Sequence, residues 1–341
     1  MPSDISNLYP VPYRAQLTPG AVVYYHEFIS SHEARKRYWA RSFLGWTTLH
    51  KANPNAGHYA IRDLGRLGLV KQVITQNVDS FHPRAHSHLI PTLELHGYLR
   101  STVCISCHNE FPRDSFQDEL ARLNPAWASF LREVVASGAL ATENPDERHA
   151  RGIRTNPDGD VDLPDAPYTT FRYPACPHCL AQPPLETNGT RAVVRVDPEG
   201  AWVPASTAGI LKPAVVMFGE SIAGHVKLAA ESAIDRAGRL LVVATSLATY
   251  SAWRLAKRAK DQGMPIAILN IGGVRGEEAF FNALEPDPTG GQGVRVDMSA
   301  ESLLPALVAE LERSVADGKR APRHPPSSQR DGETIFKDML S

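Results

Sequence analysis

The stretch Leu69-Val-Lys-Gln-Val-Ile-Thr-Gln-Asn-Val-Asp79 decides how this chain is read. Its first half is apolar at Leu69, Val70, Val73 and Ile74 and predicts a strand over 69–74. Its second half, Thr75-Gln-Asn-Val-Asp79, is a polar cluster set where that strand ends. In parallel α/β folds, ligands bind at the carboxyl ends of the strands. Gln76, Asn77 and Asp79 bring amides and a carboxylate that suit a sugar and a second amide. His96, 17 residues further on in the pair His96-Gly97, adds a proton acceptor. Its ordinary pKa lies near neutrality, about 6.5. Taken one at a time, the same residues also read as a turn cap and a surface histidine.

The cysteines change the weighing. All four fall into two pairs of one spacing, Cys104-x-x-Cys107 and Cys176-x-x-Cys179. That spacing places two thiolates at adjacent corners of a zinc tetrahedron, and two such pairs complete a closed structural site. Pro177 suits the tight turn that aims the second pair. The pairs are separated by 68 residues, so the chain between them must loop out while the two knuckles meet. No secretory signal is legible, which disfavours disulfides as the other reading.

Outward from these motifs, strands are expected at 214–218, 240–243 and 266–269. Helices are expected over 28–46, 56–67, 252–262 and 301–313. Ser30-Ser-His-Glu33 resembles a capping box for the first of these. The strand–helix–strand alternation is that of a parallel sheet. Two polar stretches, 137–155 and 182–208, have weak periodicity and read as surface excursions. The end, from Arg320-Ala-Pro-Arg-His-Pro-Pro onward, reads as a disordered tail. With 341 residues the chain can bury a large core. A net charge of −1 gives no general drive toward nucleic acid. The cysteine region also lacks the basic stripe of a nucleic-acid module. No apolar run approaches the roughly 20 residues that span a bilayer.

The ordered set of motifs resembles the sirtuins, the NAD-dependent protein deacylases. The matching text is Thr75-Gln-Asn-Val-Asp79 with His82, Leu95-His-Gly97 and the two cysteine pairs. It continues with Leu211-Lys-Pro-Ala-Val-Val-Met-Phe-Gly-Glu220, Ala244-Thr-Ser-Leu247 and Leu269-Asn-Ile-Gly272. Further text is similar to the class II branch: Arg37-Tyr-Trp-Ala-Arg41 with Phe43 and Gly45-Trp46, Asn124-Pro-Ala-Trp127 and Pro157-Asp-Gly-Asp160.

The resemblance implies an α/β fold, a Rossmann-like doubly wound parallel sheet with a smaller zinc-binding module and a helical insertion. Residues 1–27, 47–97 and 211–315 would form the NAD-binding domain. Residues 28–46 would be the helical part of the small domain, 98–210 the zinc module with its insertions, and 316–341 the tail. It also implies a mechanism: the acyl-lysine oxygen attacks C1′ of the nicotinamide ribose, and nicotinamide leaves. A histidine then takes a proton from the ribose diol. His96 matches that base, and Asn77 shares the catalytic centre. Tyr13, Arg14, Gln76, Asn77, Asp79, Thr245, Ser246, Asn270 and Asp297 match the NAD contacts. Cys104, Cys107, Cys176 and Cys179 match the zinc ligands. Val216, Phe218, Gly219 and Glu220 match the segment that pairs with substrate backbone by strand addition. Tyr38 and Arg41 match a Tyr-x-x-Arg pair that reads an acidic acyl chain, since an Arg fork beside a phenol suits a carboxylate. The same residues also read as a core tyrosine and an arginine that points to solvent or pairs with a nearby acid such as Glu33 or Asp63.

The departures carry expectations of their own. The family's opening strand and Gly-Ala-Gly loop are not found in the eight residues before Tyr9, Pro12 stands where an aspartate is expected, and Ala244 stands where a glycine is expected. Fewer backbone phosphate donors predict weakened NAD binding. The readings that follow are an NAD-dependent deacylase, with ADP-ribosyl transfer as an allowed second activity, a shortened version of such an enzyme, or a zinc-stabilised binding protein with impaired catalysis. Partners are then acylated-lysine proteins, with neither membrane nor nucleic acid expected. Localisation is expected to be intracellular, in the mitochondrial matrix by resemblance, although residues 1–25 show no presequence.

Overall fold

The structure, a computed structural model, describes residues 22–137, 154–155, 161–163, 166–282 and 289–317. Tyr13, Arg14 and the expected tail beyond 317 lie outside them, as does most of the first polar excursion. The chain divides into two compact units, one of residues 1–52 and 100–220 and one of residues 53–99 and 221–341.

The second unit is built on parallel strands. Leu240–Val243, Ile266–Leu269 and Gly293–Val296 form one ladder with Ile266–Leu269 in the middle. Val73–Thr75 and Thr92–Glu94 form a parallel pair, with Thr75 opposite Glu94. Side chains alternate across a strand, so Leu240–Val243 and Ile266–Leu269 feed two cores. Val242, Ile266 and Ile268 pack with Ala230 and Ile234 of the helix Gly224–Asp235, and with Ala252, Leu255 and Ala259 of Tyr250–Asp261. Leu269, Val243 and Val296 pack on the opposite side with Ala60 and Leu64 of Ala56–Arg66 and Leu304 and Val308 of Ala300–Ala316. Helices on both faces make this a doubly wound α/β layer, the Rossmann-like arrangement expected. Each fully buried Ile or Leu contributes about 1.5–3 kcal/mol. Ile74 and Leu93 join the first of these cores, so the strand pair shares it.

The strand expected over 69–74 is shorter and later. Leu69 and Val70 donate their N–H groups to the Leu64 carbonyl, at 2.9 and 3.3 Å, and complete the end of the preceding helix. Gly68, at φ +74°, makes that turn, and Leu69 stays 50% exposed. Only Val73–Thr75 enters the ladder.

In the first unit, the expected helical region is two helices, Tyr25–Ser30 and His32–Lys51. They break at Ser31, whose hydroxyl accepts the Ala34 N–H at 3.1 Å. The cap is therefore Ser31, one residue later than the sequence suggests. An aromatic core of Phe28, Tyr38, Trp39, Phe43, Phe116 and Phe171 fills the helical part. A three-stranded sheet runs Glu110–Pro112, Gly97–Cys104, Leu211–Val215 in spatial order. Residues 211–220 thus group with the cysteine-bearing unit. The second polar excursion is not a surface appendage. Its Trp202 is 5% exposed, stacks on Tyr173 at 5.9 Å and lies under Arg35 at 4.7 Å. Polar composition hid this because the buried residues of the stretch, Ala192, Ala201, Trp202 and Ala208, are few and scattered.

Candidate active site and metal centre

Five loop segments leave the carboxyl ends of the second unit's strands. Within each sheet register sets the strand ends at one level, since Thr75 lies opposite Glu94 in the pair, and Val243 and Val296 lie opposite Leu269 in the three-stranded ladder. Residues 76–79 and 95–97 follow the strand pair, while 244–246, 270–272 and 297 follow the three-stranded ladder. Gln76 ties two of these loops together. Its Nε2 donates to Thr245 Oγ1 at 2.9 Å, and its Oε1 accepts from Thr249 Oγ1 at 2.9 Å. The Asn77 N–H is held by Thr75 Oγ1 at 3.1 Å, and the residue is exposed. Asp79 Oδ1 accepts the Phe81 N–H at 2.8 Å. Ser246 is exposed, and its carbonyl accepts the Arg275 N–H at 2.8 Å.

His96 is half-buried at this rim. Its Nε2 lies 2.8 Å from Ser251 Oγ. Burial pulls the imidazole below its ordinary value, and a backbone hydrogen bond to Gln76 draws it partly back. The ring is therefore neutral at physiological pH, the state a base requires. His82, packed between His58 and His86, is pulled down to about 4 by burial first and then by its neighbours.

Asn270 and Asp297 shape the adjacent loop. The Asn270 Nδ2, on a side chain only 8% exposed, donates back to the carbonyls of Ile271 and Gly272. Asp297 Oδ1 accepts the Gly272 N–H at 3.2 Å. Gly272, at φ +78°, and Gly273 have no heavy atom within 4 Å of where a Cβ would sit, so open space borders this loop. Ala244 sits at φ +50°, where an L side chain is strained. The rim's alternating amides, hydroxyls and carboxylates fit a ligand made of riboses and an amide, which is what NAD presents.

In the first unit the four cysteines converge. Their sulfurs all lie within 4.8 Å of one another, with Cys104 to Cys179 at 3.5 Å and Cys107 to Cys176 at 3.7 Å. A zinc tetrahedron with bonds of about 2.3 Å has an edge of about 3.8 Å. None of the four forms a disulfide. Cys104 ends its strand, and Cys176 caps the helix Pro177–Ala181, its sulfur accepting the Cys179 N–H at 3.4 Å. Two further N–H groups, from Ser106 and the Asn109 side chain, point at Cys104 and Cys107. Gly209 locks the knuckles together. Its carbonyl takes the Cys176 N–H, its N–H reaches Ser106 Oγ, and a Cβ there would meet Val194 at 2.9 Å. The crowded sulfurs set their ionisation against one another. The Cys176 hydrogen bond draws Cys104 down to about 5, while Cys104 in turn pushes Cys176 up. A dication relieves that conflict by accepting all four as thiolates.

The segment after Leu211–Val215 carries the expected substrate residues. Val216 is half-buried, and Phe218 and Gly219 are exposed. The Phe218 carbonyl accepts the Tyr25 N–H at 2.8 Å. Glu220 closes the turn: its Oε2 accepts the Met217 N–H at 2.9 Å and lies 3.2 Å from the buried Lys212 ammonium. Tyr38 and Arg41 are another matter. Tyr38 is 2% exposed and packs edge-on to Phe28. Arg41 is 0% exposed and faces Asp162, itself buried, at 4.0 Å. Tyr168 donates to the same Asp162 at 2.9 Å. In this structure Arg41 faces a carboxylate of the protein's own.

Sequence reasoning missed Ser251, Thr249 and Asp162. Thr249 and Ser251 had a signal: hydroxyl residues at the start of a helix that leaves a strand-end loop. Asp162 had none, because nothing local marks an acid for burial.

The matching family is the Sir2 family, over residues 15–251. The NAD-dependent protein deacylase SIR4 of Batrachochytrium dendrobatidis is 40% identical over 258 residues, covering 75% of this chain and 72% of that protein. The NAD-dependent protein deacetylase 3 of Pseudomonas syringae is 32% identical over 287 residues, covering 84% and 80%. Among solved structures, a Sir2 mutant with a p53 peptide and NAD matches with a TM-score of 0.51 at 17% identity, over 87% of this chain and 86% of that one. At that identity the likeness speaks for the fold alone.

Proposed function

The chain belongs to the Sir2 family, and from that premise we infer that it is an NAD-dependent protein-lysine deacylase. The observation that carries this reading is the convergence of Gln76, Asn77, Thr245 and His96 at the carboxyl ends of parallel strands, with a neutral imidazole among them. When bound, NAD supplies an electrophilic ribose carbon and nicotinamide as the leaving group.

The chain's own residues then do three things. Asn77 and Ser246, both exposed at the rim, offer donors and acceptors to the ribose hydroxyls. Asp79 offers its carboxylate to the nicotinamide amide. His96 would take the proton of a ribose hydroxyl at its neutral ring. Gln76 has both ends of its carboxamide on Thr245 and Thr249, so its first task is to hold the rim in shape. In the other unit, Val216 to Glu220 offer backbone to an acyl-lysine peptide by strand addition. The four cysteines hold one Zn²⁺ that shapes their module and leaves no open position for catalysis.

Acylated-lysine proteins are thus the partner class. The solved relatives include Sir2 with an acetylated peptide and Sir2Tm with a propionylated one. No helix among the described residues is long and apolar enough to cross a membrane. For the compartment we propose the mitochondrial matrix, on the class II character of residues 37–46, and a fluorescent fusion imaged in cells tests it. For the activity, the test is nicotinamide release in step with peptide deacylation. Deacylation that runs equally well without NAD would contradict the reading.

A further inference from the structure

We propose that Ser251 is a positioning residue for His96, fixing the ring so that Nε2 is the nitrogen that takes the proton. The proposal rests on the reading of His96 as the general base.

The observation is the 2.8 Å contact between His96 Nε2 and Ser251 Oγ, made across 155 residues of chain. Both ends of it are anchored. Leu95, next to His96, is 1% exposed, Ala252, next to Ser251, is 7% exposed, and both belong to one core cluster. The backbone on each side is therefore fixed by packing and does not wander. Ser251 is the second residue of the 12-residue helix Tyr250–Asp261. The residue that opens that helix, Thr249, is bound to Gln76 Oε1, and Gln76 also gives His96 a backbone hydrogen bond.

These contacts choose the tautomer. The backbone contact to Gln76 favours the protonated ring, which is the effect of a carbonyl. A carbonyl only accepts, so the ring nitrogen that meets it carries a hydrogen. Nε2 is engaged by Ser251, so the nitrogen that meets Gln76 is Nδ1. The neutral ring then keeps its lone pair on Nε2, with the Ser251 hydroxyl donating to it. A ligand hydroxyl that reaches Nε2 takes over as donor. Nε2 forms its new N–H bond with that lone pair, and the oxygen that loses the proton keeps the bonding electrons. Once that oxygen has moved away, Ser251 Oγ turns and accepts the Nε2–H of the imidazolium. A hydroxyl can serve both protonation states because it both donates and accepts, so the ring need not swing between them. Burial and the Gln76 carbonyl are the influences that act on the ring's titration, and no charged side chain of the described residues contributes.

The test uses the full chain, its Ser251→Ala and Ser251→Thr variants, and His96→Ala. Nitrogen-15 NMR of the histidine rings gives the tautomer and the titration midpoint of His96, with or without substrate. The expected wild-type tautomer carries hydrogen on Nδ1. Ser251→Ala should lower the His96 midpoint, because a hydrogen bond to the imidazolium is stronger than one to the neutral ring. It should also lower kcat roughly tenfold while leaving the KM for NAD in place, and Ser251→Thr should restore both. An unchanged midpoint and kcat in Ser251→Ala overturns the proposal. So does a loss that raises the KM for NAD in parallel and is not rescued by threonine, since that is a structural defect of the helix start. Near-normal turnover by His96→Ala would instead remove His96 as the base, while the NMR midpoint still decides the Ser251 contact.

Discussion

Gln76 and Thr245 lie 169 residues apart in sequence, yet the Gln76 Nε2 donates to the Thr245 Oγ1 at 2.9 Å. One strand-end loop is thereby tied to another, and Thr249 takes the other end of the same carboxamide. Gln76→Ala removes both ties at a half-buried position. Each hydrogen bond contributes about 0.5–1.5 kcal/mol net to the folded state, so the melting temperature should fall by a few degrees, and the affinity for NAD, which needs both loops in place, should fall with it. Calorimetric titration with NAD checks this. Unchanged affinity would show that the loops hold their places without Gln76.

The pH dependence follows from the direction of the His96 shift. A base must be neutral to act, and burial pulls His96 below its ordinary value. Activity should rise with pH through that lowered value and be fully present at neutrality. The acidic limb of kcat/KM should therefore lie below the ordinary histidine value of about 6.5. A profile whose limb sits at or above that value would mean that another group limits the reaction.

Zinc content tests the cysteine cluster. One Zn²⁺ per chain is expected, with Zn–S distances of about 2.3 Å by X-ray absorption. Cys176→Ala also strips the cap from the helix Pro177–Ala181, so loss of metal and loss of the knuckle should come together. Folded protein carrying no stoichiometric zinc would refute the site.

Arg41 decides what the class II text means for substrate choice. Removing one partner of a buried ion pair costs about 3–5 kcal/mol, because the other charge is left stranded. Arg41→Met should therefore unfold the chain at lower urea, and adding Asp162→Leu should recover much of the loss. Relative rates on acetyl-, succinyl- and glutaryl-lysine peptides should not depend on Arg41. A wild-type preference for the acidic acyl groups that vanishes in a fully stable Arg41→Met protein would return Arg41 to the acyl pocket.

Periodicity made the parallel ladder legible. Leu240–Val243 and Ile266–Leu269 are short apolar runs between helical patterns, and each occupies the residues expected. The cysteine pairs were legible because metal spacing is a local property of sequence, and their convergence followed. The Ser251 contact was not, since it depends on packing that brings a helix start beside a loop 155 residues away. Trp202 shows the same limit. A polar stretch hid the residue that stacks on Tyr173, and only the fold reveals the partner. Arg41 was visible as a motif, but nothing in the sequence pairs it with Asp162, which lies 121 residues further on.

The central claim meets its most direct test in a single reaction. The full chain is incubated with NAD and acyl-lysine peptides, and nicotinamide and deacylated peptide are counted together. The account predicts equal amounts of the two, no product without NAD, and loss of both in His96→Ala. Deacylated peptide formed without nicotinamide, or undiminished by His96→Ala, would contradict it.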